Sequence, residues 1–345
     1  MAYTTIKKPS DYFNTKLYTG NGTSQSVTGV GFQPDLIWVK ERSSTSSHQL
    51  VDAVRGVYRR LIPNGTNAES DDSGSPNDFN SFDSDGFSIL AGGAVNENSQ
   101  TYAAWNWLAN NTSGSSNTDG SITSTVSANT TSGFSIVSYT GNGSTATVGH
   151  GLGATVNMVI VKDRTRAGEN WVVYHKSLGK DKVIYMNLTN APDPATDFWG
   201  TSTPDSSVFG VKSGNTSNNW SGDNFIAYCF AEKKGFSKFG SYVGNGSTDG
   251  AFVYTGFKPA FIIVKRTDST SSWDLYDNKR LGYNVKNYGL FPDLSNAEST
   301  TDKIDILSNG FKMRTTTGGN YSGASYIYMA FAEEPLVGDN PATAR

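Results

Sequence analysis

The chain has 345 residues, a formal net charge of −3 and a single cysteine, Cys229. These values exclude an intrachain disulfide framework, a Cys-based zinc site and the basic footprint of a nucleic-acid binder. Charged residues make up only 17%, with polarity supplied by Ser, Thr, Asn and 37 glycines beside 12% aromatics, a mixture that suits strands joined by tight turns.

The opening stretch, residues 1–12, lacks the apolar core of a signal peptide and reads as an arm. No run approaches the roughly 18 apolar residues of a membrane helix, so the expectation is a protein made in a cytoplasm, without membrane insertion. From Phe13 the chain enters an aromatic-led strand ending in Tyr18 and the turn Gly20-Asn21-Gly22-Thr23. Asn-Gly predicts a type I′ hairpin turn, which needs φ > 0 at both central residues. The run Leu36-Ile37-Trp38-Val39 follows, ends in Lys40, and does not alternate. Four consecutive apolar residues predict burial on both faces, with Lys40 as a solubilising charge where the strand leaves the core. The pattern continues with an alternating strand His48–Asp52, a glycine at Gly56, the Asn67-Ala68 element as a loop or capped helical turn, a strand around Phe87, and an aromatic closing strand Tyr102–Trp107.

The same order recurs twice. Tyr139–Ser144, Met158–Lys162, Trp171–His175, Gly179, Asn190-Ala191, Phe209 and Phe225–Phe230 form the second copy. Tyr242–Ser247, Phe261–Lys265, Trp273–Asp277, Gly282, Asn296-Ala297, Phe311 and Tyr326–Phe331 form the third. Turn Tyr and strand Lys lie 22 residues apart in the first copy and 23 in the others. About seven strands per copy, with turn signals throughout, predict an all-β chain of three tandem antiparallel β-sandwiches, jelly-roll or lectin-like, each of about 100 residues. The boundaries are 13–109, 134–232 and 236–333. Residues 110–133 read as a Ser/Thr/Asn/Gly linker or one stray edge strand that leaves the first sandwich loosely tethered, and 334–345 as a C-terminal arm.

Two long phrases carry a resemblance. Gly120–Gly143 continuing into Val148-Gly-His-Gly-Leu152 and Met158–Lys162, and the opening Ile6–Gly22 with Gly31–Lys40, resemble repeat domains in virion structural proteins of tailed phages, cyanophages and other marine phages among them. The resemblance spans nearly the whole chain. It implies a non-enzymatic protein exposed on the particle, as a tail appendage or fibre-associated protein or a capsid decoration, with the virion as its location. Other virion proteins are its implied partners, and a homotrimer is the self-association expected by analogy with phage appendages. It brings no catalytic residues and no cofactor.

The chemistry-bearing residues support that reading. His48, His150 and His175 sit at different depths of the repeat with no recurring partner, and read as surface or strand-end histidines rather than bases. Asp71, Asp72, Asp78, Asp83 and Asp85 form an acidic loop in one copy only, without the spacing of a calcium loop, and read as a solvated turn. Asp52 and Asp277 recur at equivalent positions, with His175 between them in the second copy, and read as strand caps rather than the paired acids of a polysaccharide depolymerase. Trp171, Trp199, Trp220 and Trp273 could present flat faces to sugar rings. They are the candidate contacts of a lectin-like reading, in which the protein meets host surface polysaccharide.

Overall fold

The structure, a computed structural model, describes residues 4–280, 284, 287–301, 303–338 and 341–342. Gly282, singled out above, lies outside the described residues. The chain is nearly all strand. Among the described residues the one α-helix is the four-residue Gly93–Asn96, and no helix is long and apolar enough to cross a membrane.

Each repeat is two sheets face to face. The large sheet orders its strands in the same way each time: a Tyr strand, the closing strand, the Lys strand, then a fourth, here called the seam strand. These are Phe13–Thr19, Thr101–Trp107, Leu36–Glu41 and Gln49–Asp52 in repeat 1. In repeat 2 they are Phe134–Thr140, Asn224–Phe230, Met158–Asp163 and Val172–His175. In repeat 3 they are Ser237–Val243, Ser325–Pro335, Phe257–Arg266 and Trp273–Asp277. All pairings are antiparallel, so the last strand of each repeat inserts between the first and third. The facing sheets are small: Gln25–Thr28, Gly86–Ile89 and Phe79–Asp83, then Ala146–Gly149 with Val208–Val211, then Phe252–Tyr254, Gly310–Met313 and Ile304–Leu307.

Tyrosine placement explains why the repeated phrase begins with that residue. Tyr18, Tyr139 and Tyr242 stand opposite Tyr102, Phe225 and Tyr326 in register. The rings stack at 5.0, 5.2 and 4.9 Å, a favourable cross-strand pair. Each hydroxyl donates to a loop carbonyl, on Val95, Asn218 and Gly319, so the buried polar tip is satisfied.

The Asn-Gly turns are not hairpins. Gly22, Gly143 and Gly246 have positive φ, but Asn21, Asn142 and Asn245 do not, and the strands either side belong to different sheets. Each Asn side chain instead accepts the N–H two residues on, at Thr23, Ser144 and Ser247. This is an Asx turn, which lets the chain cross from the large sheet to the small one.

Burial of the Lys strand on both faces is borne out, with a consequence for the whole molecule. Ile37 and Val39 pack into the first sandwich with Phe79 and Phe87, and Val159 and Val161 into the second with Phe209 and Trp199. The alternate residues, Leu36, Trp38, Met158 and Ile160, enter a core shared by all three repeats. At its centre Phe13 and Trp107 from repeat 1 meet Phe134 and Phe230 from repeat 2 and Phe239, Phe261 and Phe331 from repeat 3. Phe13 stacks on Phe331 at 5.3 Å, and Trp107 meets Phe261 edge-on at 5.5 Å. The expected loose tether is therefore absent. Residues 115–117 and 124–129 form two strands that extend the large sheet of repeat 2, and repeat 1 is packed into the common core. Residues 4–10 of the N-terminal arm also lie on the body, with Ile6 buried in that core.

Candidate functional site

The polar residues that recur in the three repeats converge on the seams between them. The loop before each Asn-Ala element reaches the next repeat. Thr66 offers its carbonyl to the N–H of Gly168, Thr189 to Ser271, and Ser295 to Ser46, at 2.8, 2.8 and 2.9 Å. Repeat 1 therefore grips repeat 2, repeat 2 grips repeat 3, and repeat 3 grips repeat 1. A head-to-tail contact that closes after three copies makes a ring, here written in one chain.

Lys162 and Lys265 serve the same loops. Lys162 Nζ donates to the carbonyls of Glu169 at 2.7 Å and Thr66 at 3.5 Å, and Lys265 Nζ to Thr189 at 2.8 Å and to Ser271. Lys40 donates to Glu41. All three lysines are buried, so the edge-charge reading is corrected: Lys162 and Lys265 are internal ties between neighbouring loops, and Lys40 is held by its own strand. Burial strips water from the ammonium and lowers each pKa to about 8.

The ring residue that opens or immediately precedes each seam strand repeats one contact. Trp171 Nε1 donates to the Ile62 carbonyl at 2.9 Å, Trp273 Nε1 to Tyr185 at 2.8 Å, and His48 Nε2 meets Phe291 at 3.0 Å. Each partner carbonyl belongs to the preceding repeat in the ring. At the other end of the strand Asp52 accepts from the Tyr228 hydroxyl at 2.7 Å, Asp277 from Trp105 Nε1 at 3.0 Å, and His175 Nε2 lies 3.2 Å from the Tyr328 carbonyl. Here the partner lies in the following repeat.

Asp52 and Asp277 do cap their strands, taking the N–H of Arg55 and Arg280 at 2.9 and 3.0 Å. They also pair with the same arginines through Nε at 2.6 and 2.7 Å, fully buried. Glu69 and Glu298 complete the network. Glu69 binds Arg55 at 2.9 Å and grips Arg164 of repeat 2 with both oxygens at 2.8 Å. Glu298 binds Arg280 at 2.8 Å and Arg42 of repeat 1 at 2.9 Å. Such forked pairs fix orientation as well as charge. In repeat 2 the matching positions are His175, Leu178 and Pro192, so that seam has no equivalent ion-pair network.

The remaining candidate residues are engaged within the fold. His48, His150 and His175 are buried rather than on the surface. Each accepts at Nδ1, from Trp38 Nε1, Leu152 N and Ser177 N, and faces a carbonyl with Nε2. Both ring nitrogens are committed, and desolvation lowers His48 to about 3 and His175 to about 4. In the acidic loop Asp71 pairs with Arg59, Asp72 and Asp78 with Arg60, and Asp85 accepts from Gly29 and Gly31. Asp83 accepts from Ser81 and Ser88. Among the described residues no group of three His, Cys, Asp or Glu side chains is placed to hold a metal. Cys229 is buried with its thiol pushed up by desolvation.

Of the four tryptophans offered as glycan contacts, three are interior. Trp171 and Trp273 are seam residues, and Trp199 is buried against Tyr174 and Phe198 with Nε1 donating to Lys182. Trp220 alone of the four is exposed, under the Arg166 guanidinium at 4.8 Å.

The sequence reading missed Asn96, Asn219 and Asn320. Each is fully buried, offers Oδ1 to the N–H of the turn residue Asn21, Asn142 or Asn245 at 2.9, 2.9 and 3.0 Å, and donates from Nδ2 to the carbonyl two residues further on. The signal was available, because each sits five residues before its closing strand begins. Arg55 and Arg280 were legible too, as the Asp-x-x-Arg spacing shared by repeats 1 and 3.

No curated protein and no solved structure matches the chain. A family model described as "Domain of unknown function (DUF7483)" matches residues 8–335, a span that takes in all three repeats and every seam, and the chain belongs to that family.

Proposed function

We propose that this protein is a non-enzymatic structural protein of a tailed-phage particle, exposed at its surface as a tail appendage or decoration and held there by other virion proteins. The observation that carries the proposal is the closure of three head-to-tail seams into one ring. The residues that recur from repeat to repeat serve those seams and the turns, so what is repeated is the means of assembly. A catalytic site would instead recur as an accessible group of titratable side chains. The phage resemblance of the repeat phrases supplies the setting. Mass spectrometry of purified particles should find the chain at a fixed copy number, with antibody labelling confined to one part of the particle. Its absence from purified particles, with the free protein abundant in the lysate, would sink the proposal.

A second reading, contact with host polysaccharide, rests on exposed Trp220 beside Arg166. A glycan array separates it: binding that Trp220→Ala abolishes supports a lectin-like role, and release of reducing ends would mark a depolymerase.

A further inference from the structure

The three sandwiches are finished differently on one flank, where the Tyr strand edges the large sheet and the second strand edges the small one. In repeat 2 the flank is covered by the chain itself. Ser124–Asn129 runs antiparallel to Phe134–Thr140, with Ser124 opposite Tyr139 and Asn129 opposite Phe134, and Ile122 bridges Val148 of the small sheet. Ile122 and Val126 join the core of that sandwich. Ser121 N donates to Thr147 Oγ1 at 3.0 Å, and Thr147 N to Ser121 Oγ at 2.9 Å. Gly149 leaves room for Asn117, whose side chain stands where a Cβ would be.

In repeat 1 the corresponding groove, beside Asn14–Leu17 and Gly29, is lined by Lys16 and Lys279. Charge on an edge discourages a further strand. Among the described residues no strand covers this flank of repeat 3, and its edge charge, Lys238 paired with Glu232 at 2.8 Å, lies at the start of the Tyr strand, away from Ser241 and Val243. Val253 and Val148 are equivalent, each opposite a phenylalanine, Phe311 and Phe209. Phe252 therefore stands at the position of Thr147 and Tyr254 at that of Gly149. Both are about half exposed, at 48% and 54%, and Val243 at the end of the Tyr strand is 60% exposed. Aromatic side chains thus occupy the positions where repeat 2 touches its covering segment. A groove of about 490 Å³ runs between Ser237, Lys238 and Tyr254.

The backbone of the Tyr strand is set for pairing there. Gly244 N bonds Ala324 O, and Ala332 N bonds Phe236 O, so even-numbered residues form the ladder with the closing strand. In an antiparallel pair the alternate residues then turn their N–H and C=O outward. Ser237 and Phe239 confirm the phase, their outward N–H groups being taken by the Lys233 carbonyl and the Glu232 carboxylate, which places the positions for a partner strand beyond them. Ser241 and Val243 follow in the same phase.

We infer that this flank of repeat 3 is a strand acceptor. An extended segment of a partner protein, with the Ser/Thr/Val alternation of Ser124–Asn129, adds antiparallel to the Tyr strand and lays its apolar side chains on Phe252 and Tyr254. Main-chain pairing of this kind supplies affinity while alternate side chains supply selectivity. The occupant is argued from repeat 2, where this chain fills the same flank with such a segment, and the inference is independent of where the protein is stationed.

The probe is a fluorescein-labelled peptide of residues 113–131, titrated against the full chain by fluorescence anisotropy. Saturable binding is expected, weakened about tenfold or more by Ser241→Pro, which removes one outward N–H and no bond to the closing strand. Phe252→Asp with Tyr254→Asp should weaken it as much. Melting temperatures of both variants should stay within a few degrees of the parent, and hydrogen exchange should show peptide-dependent protection at Ser241 and Val243. No binding up to about 1 mM peptide overturns the inference. So does binding that Ser241→Pro leaves unchanged, or protection that falls on 134–140. A dimer of the unliganded chain in sedimentation, lost in Ser241→Pro, would reassign the flank to a second copy.

Discussion

Trp38 determines which nitrogen of His48 carries the proton. The indole Nε1 can only donate, and it donates to His48 Nδ1 at 2.8 Å, so the imidazole hydrogen is on Nε2 and points at the Phe291 carbonyl 3.0 Å away. A second proton would set N–H against N–H inside a closed seam. The neutral ring is thereby part of the contact between repeats 3 and 1.

Acid should therefore act against the ring through its buried histidines, while Asp35 and Asp163, raised by burial to about 6, take up protons in the folded chain and oppose that loss. The folded pKa of His48 is lowered to about 3, against about 6.5 unfolded. Below the unfolded value the unfolded chain binds the proton and the folded chain does not, so the contribution of His48 to stability falls as pH drops from about 6.5 toward 3. His48 alone should account for roughly 2 kcal/mol between about pH 6.5 and 5, and His175, lowered to about 4, for a similar amount. Urea melts across that range measure it. His48→Gln should be less stable at neutral pH and show a shallower acid slope. An unchanged slope would contradict the assignment.

Mild alkali should have the opposite effect. Lys40, Lys162 and Lys265 have folded pKa values near 8, below the unfolded 10.4. Between those values the unfolded chain holds more protons, so stability rises with pH. Tyr18, Tyr139 and Tyr242 are raised well above their usual value, which reverses the trend above about pH 10, where unfolded tyrosines ionise. Chemical denaturation at intervals from about pH 7 to 10.5 should place the stability maximum above about pH 9. In Lys162→Met the rise should be smaller by about one proton.

The Glu69 network is expected to dominate its seam. Glu69→Ala leaves Arg55 buried with Asp52 alone and releases Arg164. Removing one partner of a buried pair typically costs about 3–5 kcal/mol. Asp223, which pairs with the more exposed Arg166, should cost less when replaced by Asn, near 1 kcal/mol. Urea midpoints of the two variants give the comparison, and equal losses would mean the seam is not held by its buried charges.

Repeat 1 should not fold alone. Severed from the ring, Leu36, Trp38, Trp105 and Trp107 lose the partners that bury them, and an exposed apolar face of that size leads to association. Calorimetry of the whole chain should show one transition with matching calorimetric and van't Hoff enthalpies. The fragment 1–109 should be aggregated or unfolded. A soluble, cooperatively melting fragment would restore three independent sandwiches.

Amino-acid order by itself determined the triplication, the all-β class, a bend at each Asn-Gly pair, though not its crossing between sheets, and the two-faced burial of the Lys strand. Those features are local: a run such as Leu36–Val39 cannot leave either face in water, and an Asn-Gly pair demands a bend wherever it sits. Tertiary structure alone decided what lies on the second face. Trp171 and Trp273 read equally well as sugar platforms or interior rings, because their partners across a seam are far off in the chain, Ile62 at a separation of 109 and Tyr185 at 88. Lys40, Lys162 and Lys265 were misread for the same reason. A lysine at a strand end normally reaches solvent, and only the closed ring brings a neighbour's loop over Lys162 and Lys265.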